Sequence, residues 1–160
     1  MDCGEVDRVV SDFTGGVKAW GERVEALPDA EPCIAAALTA ALDAEDWDRF
    51  SLYLAAAGKR PDPSMTGTLC RSLQVETTDV RHEEVLEVML DIPDPAALPV
   101  LGDMVHRHFP WDPHRQIALK ALWVIGEIDT PEAHATLRGV VEKESAYLSD
   151  WAASALEARW

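Results

Sequence analysis

Apolar residues recur along this chain with helical period, and no alternating strand pattern occurs. Ala133, Leu137, Val140 and Val141 form a stripe at i, i+4, i+7 and i+8, and Ala97, Leu101, Met104 and Val105 repeat it. Between Ile117 and Gly126 only Lys120 is polar, so that helix must be enclosed by neighbours on several sides. Near the start, Val6, Val9, Val10, Phe13, Val17, Trp20, Val24 and Leu27 keep the spacing, broken at Gly15-Gly16. This stretch reads as one capping helix or two short ones. The class is all-α.

Start signals divide the rest. Asp62-Pro63, Asp94-Pro95, Asp112-Pro113 and Thr130-Pro131 each place a side-chain acceptor before a proline, which is tolerated at the first helical position because its missing N–H would be unpaired there. Asp46, Thr78 or Asp79, and Ser149 fill the gaps, so a helix is predicted about every 16–18 residues, eight or nine short helices in all. Pairs of helices also repeat. A shift of 36 residues lays Ile92, Pro95, Leu101 and Val105 on Ile128, Pro131, Leu137 and Val141, and Leu86, Val88 and Met89 on Leu122, Val124 and Ile125. A weaker copy, with Met65, Leu69 and Leu73, lies 32 residues upstream. Such a period predicts an α-solenoid of antiparallel helix pairs. Residues 1–160 then form one domain, with capping helices over 1–28, stacked pairs over 29–160 and the clearest repeats over 80–160.

The stretch ALKALWVIGEIDTPEAHATLRGVV resembles a short bacterial HEAT repeat of the phycocyanin-lyase-like kind. Residues 117–141 carry the match, 86–105 follow it with Met89-Leu90 in place of IG, and 149–158 look like a further first helix. The resemblance implies a HEAT-like solenoid and, for most of that family, a protein-binding scaffold. Some related proteins attach or isomerise bilins, which no residue here selects. Others are alkyl-base DNA glycosylases, which need a basic concave surface.

Charge argues against the last. The 160 residues carry 29 Asp and Glu against 14 Lys and Arg, a formal charge of −15, spread evenly over both halves. Phosphate neutralisation needs clustered cations, so direct nucleic-acid binding and an anionic membrane surface are disfavoured, and a basic protein partner is favoured. The longest nearly apolar run, 33–42, is about half a membrane span. Acids stand where a signal peptide needs cations. Three cysteines without CxxC spacing suggest a reduced cytosol and a disulfide-free fold. Abundant alanine and an excess of Arg over Lys fit a bacterial source.

Chemistry is sparse. Serine-nucleophile and phosphate-loop motifs are absent, and Glu83, Glu84 and Glu87 read as a solvated helix face. His106, His108, Asp112 and His114 invite a metal reading, but two histidines two apart leave a helix on different faces, so surface histidines beside an aromatic loop are expected. Cys33 and Cys70 read as small core residues. Trp47, Trp123 and Trp151 read as packed. Trp111 either staples its turn onto the next helix, the favoured reading, or stands exposed as a contact residue, and Trp160 stays open. No enzyme activity, cofactor or metal is expected.

The expected function is a cytoplasmic protein-binding module for a basic partner, held on the second helix of each pair. An immunity or antitoxin-like role against a basic toxin is the sharper version, and a bilin lyase the competing class. Opposite the apolar stripe, Thr66, Leu98 and His134 form one column, Cys70, Gly102 and Arg138 the next, and Gln74, His106 and Glu142 the third. Leu98, His106, His134 and Arg138 are the expected contact residues, with Leu98 an exposed apolar anchor.

Overall fold

The computed structural model describes residues 2–159; Trp160 lies outside them. Among the described residues are ten α-helices and no strand. They are α1 (Cys3–Val10), α2 (Gly16–Glu25), α3 (Glu31–Asp43), α4 (Trp47–Lys59), α5 (Thr66–Leu73), α6 (His82–Met89), α7 (Leu98–His106), α8 (Gln116–Glu127), α9 (Pro131–Lys143) and α10 (Ala146–Arg159). The count exceeds the eight or nine expected. Gly15 and Gly16 both take left-handed φ, 86° and 87°, which breaks the first amphipathic run into two helices.

The caps act largely as their residue types dictate. The Asp46 carboxylate accepts from Arg49 N at 3.1 Å and Thr130 Oγ1 from Ala133 N at 3.1 Å. Asp62 and Asp94 accept from Ser64 N and Ala96 N, and in both cases the first turn is a 3-10 turn, Pro63–Met65 and Pro95–Ala97. Three starts differ from expectation. Asp112 bonds to Gln116 N and Ile117 N, each at 2.9 Å, so α8 begins at Gln116 and not at Pro113. Arg115, at φ 56°, makes the tight approach. Thr77 and Asp79 close a turn of their own and α6 starts later, at His82. The last helix starts earlier than Ser149, at Ala146.

Each odd-numbered helix packs on the even-numbered helix that follows it. The even helices α2, α4, α6, α8 and α10 also touch one another in series, as do α1, α3, α5, α7 and α9. Buried side chains form one hydrophobic cluster from Val6 to Ala152. Positions 36 apart are buried alike: Ala97 with Ala133, Leu101 with Leu137, Met104 with Val140, Leu86 with Leu122. The exception is Val105 against Val141, the latter 37% exposed. At the first end Phe13 and Val17 are also exposed, although Phe13 stacks on Trp20 at 5.3 Å.

Cys3 and Cys33 form a disulfide, contrary to the disulfide-free expectation. Contact between α1 and α3 brings their Cα atoms to 5.3 Å, inside the range a disulfide spans. Two of the three cysteines are therefore spoken for, and the odd count no longer argues for a reducing compartment. Cys70 is free and buried, as a small core residue would be. Burial first, and then the Asp94 carboxylate, push its thiol up to about 11, far from the thiolate a nucleophile needs. No helix is long and apolar enough to cross a membrane among the described residues.

Candidate protein-binding face

The ridge expected to hold a partner is partly closed. Thr66, Cys70 and Leu98 are buried, Leu98 being only 7% exposed. The reason is the seam between odd-numbered helices. Leu98 opens α7 directly after the 3-10 turn that packs on α5, so the position opposite the stripe meets the neighbouring helix instead of water. Likewise a Cβ on Gly102 would lie 3.6 Å from Thr136 Cγ2 on α9. The exposed-anchor role of Leu98 is thereby corrected. Of the other three residues, His106 and Arg138 are exposed and His134 is half-buried.

His106 is also tethered. Its Nδ1 lies 2.7 Å from Glu144 Oε1, while Arg115 donates to Glu144 Oε2 at 3.4 Å and to the Val105 carbonyl at 2.6 Å. This cluster ties the end of α7 and the start of α8 to the end of α9. Burial opposes ionisation of Glu144, but the bonds from His106 and Arg115 outweigh it and hold the carboxyl below its ordinary 4.5. A carboxyl depressed in the folded state stabilises the fold above its unfolded value, and the contribution fades as pH falls through the lower folded value. Glu144→Gln is therefore expected to cost about 1–3 kcal/mol at neutral pH and progressively less as pH falls below the ordinary carboxyl value and through the lower folded one. Denaturant titrations across that acid range check this; a cost that does not change with pH would contradict it.

The metal reading finds no geometry: among the described residues no group of three or more His, Cys, Asp or Glu could hold an ion. Asp112 is engaged as a cap, and His108 and His114 are exposed. The histidine that matters was not among the expected residues. His82 carries no signal that singles it out in the sequence, and it is 2% exposed. Its Nδ1 lies 2.9 Å from the Val80 carbonyl and its Nε2 2.9 Å from the Val75 carbonyl. Burial holds its ring below the usual histidine range, against the pull of the carbonyls. Phe109 and Trp111 lie 5.0 and 5.9 Å from it and tack the α7–α8 connection onto α6. Trp111 thus tacks its loop onto α6, not onto the next helix, and remains 37% exposed, so it shares features of both readings.

Concavities lie along both rows. On the odd-numbered side one of about 560 Å³ is lined by Gln74, Asp103, His106 and Arg107, and three with more apolar walls or more ordered ion pairs lie along the even-numbered row. Between α6 and α8 is a cavity of about 520 Å³, walled by Thr78, Arg81, His82, Trp111 and Lys120. Lys120, the polar exception of α8, runs its mostly buried chain to Glu83, at 3.0 Å, and to Glu87. Burial disfavours its charge, but Glu87 and Glu83 more than compensate and raise its pKa. Two of the three α6 glutamates thus pin α6 to α8, where a solvated face was expected. Between α4 and α6 runs a groove of about 280 Å³ with Leu54, Ala55, Gly58 and Val88 in it and Glu84, Glu87 and Asp91 at its edge. A third hollow, about 450 Å³, lies between α8 and α10 and contains Trp123 and Trp151, both half-buried. Gly126 makes room there, since a Cβ on it would stand 3.2 Å from the Trp151 ring.

Neither a protein-family model nor a curated protein matches the chain.

Proposed function

We propose that this chain is a non-enzymatic protein-binding module, a HEAT-like α-solenoid that holds a basic partner protein on the face of its even-numbered helices. The observation that carries the reading is the run of hollows along α4, α6, α8 and α10, bordered around α6 by Glu84, Glu87 and Asp91. The solenoid part draws support from the two series of helix contacts and from matched burial at 36-residue spacing. The basic character of the partner draws support from the charge of −15, which accelerates encounter with a cationic surface. A protein that neutralises a basic toxin would use the same face.

Affinity capture from a native lysate with the wild type and with the double variant Glu84→Lys, Asp91→Lys tests the reading. A stoichiometric basic protein that elutes with salt and is lost from the variant is expected. A partner retained equally by both, or one that is acidic, would overturn it.

A further inference from the structure

We infer that the groove between α4 and α6 is the seat of a basic amphipathic segment of the partner, an inference that rests on the protein-binding reading above. The floor is apolar and shallow because α4 presents small residues there. Ala55 and Gly58 sit one helical turn apart, beside buried Leu54. Across from them Val88 supplies the other wall, and a Cβ built on Gly58 would stand 3.6 Å from Val88 Cγ2, ordinary contact distance. A methyl group at Gly58 would therefore just touch Val88, so the absence of a side chain there is what leaves this flank shallow.

The rim sets the charge of the occupant. No cation of α4 lines the groove: Lys59 turns to Glu25 on α2, and Arg60 to Glu31 on α3. On α6, Glu87 is engaged by Lys120 and Glu84 by Arg81 in an exposed pair one turn away, at 3.1 Å. Such exposed pairs are weak and exchange readily. Asp91 has no hydrogen-bonding or ionic partner for its carboxylate among the described residues, although Glu84, Glu87 and Asp91 line one edge at helical spacing. An apolar floor with an under-neutralised acidic edge fits a helix that offers leucine-like side chains on one stripe and Lys or Arg beside it. An acidic or wholly apolar segment would leave Asp91 facing like charge or an uncompensated desolvation.

A labelled synthetic peptide of about 16 residues, long enough to form a helix, with leucines on one face and lysines elsewhere, tests this by fluorescence anisotropy at about 0.15 M salt. Gly58→Leu fills the groove without changing charge, Ala55→Lys places a cation on its exposed floor, and Asp91→Lys reverses its edge. Glu132→Lys, at an exposed position of α9, makes the same charge change as Asp91→Lys in the odd-numbered row. Circular dichroism and thermal midpoints establish that each variant is folded, and Ala55→Lys stands in if Gly58→Leu is not. The three groove variants are expected to bind about tenfold more weakly, with Glu132→Lys close to wild type. If Gly58→Leu and Ala55→Lys bind like wild type while Asp91→Lys and Glu132→Lys weaken binding equally, attraction is diffuse and the groove is not the seat, though a basic partner still fits. If the wild type binds the peptide no better than a glutamate counterpart, both readings fall.

Discussion

Leu98→Asp is expected to unfold the protein or bring it close to unfolding. Leu98 is 7% exposed in the seam between α5 and α7, so the substitution removes a buried leucine and places a carboxylate where water does not reach. The first effect alone costs about 2–5 kcal/mol, and an unpaired buried polar or charged group adds at least about 2 more. A domain of this size has about 5–15 kcal/mol in total. Thermal unfolding should therefore show a midpoint lowered by at least about 8–16 °C, what the minimum of about 4 kcal/mol produces in a domain of this length. An unchanged midpoint would mean that Leu98 is solvent-facing after all and free to serve as a contact residue.

The disulfide carries the second large effect. Cys3 and Cys33 are 30 residues apart, and closing a loop of that length in the unfolded chain stabilises the fold by about 3–4 kcal/mol in the chain-entropy account. Without it α1 keeps Asp7, whose carboxylate accepts from Tyr53 Oη at 2.6 Å and from Arg49 at 2.8 Å, as well as the buried Val6 and Val10. Cys33→Ser is thus expected to lower the thermal midpoint by about 6–16 °C, the shift that such an energy gives in a domain of this length, while leaving a helical spectrum. Thiol titration of the denatured protein should find one thiol, that of Cys70, before reduction and three after. Three before reduction would restore the reducing compartment expected from the cysteine count.

Sequence reading reached the helices more securely than the surfaces. Asp46, Asp62, Asp94 and Thr130 are caps because their side chains can reach only the N–H groups one turn ahead, a local constraint visible in any order of packing. Asp112 satisfies the same chemistry through a longer reach, and the left-handed Arg115 that permits it has no sequence signature of glycine or asparagine. The core stripes were legible for the same local reason. Period separates the inward face of a helix from its flanks, and Leu101, Leu137 and Leu122 fall on the inward side. It says nothing about which flank a neighbour covers, and so Leu98 was misplaced.

The features that shape the candidate face depend on pairs distant in the chain. The α4–α6 groove exists because Gly58 and Ala55 happen to face Val88, and the α8–α10 hollow because Gly126 lies against Trp151. The run AAAG in α4 is the one sequence signal for the first, since small residues a turn apart leave a shallow flank. His82 has no such signal: its two carbonyl partners and its two aromatic neighbours come from separate connections, before α6 and after α7. Pairing of Cys3 with Cys33 likewise requires α1 to lie on α3, which no spacing within either helix reveals.

The most direct test of binding through the even-numbered row is amide hydrogen exchange of the chain alone and in complex with its captured partner. Partner-induced protection over α4, α6 and α8, centred on residues 54–58 and 84–91, with α5, α7 and α9 unchanged, is the expected result. Protection confined to α5, α7 and α9, around His106 and Arg138, would place the partner on the odd-numbered helices and contradict the account.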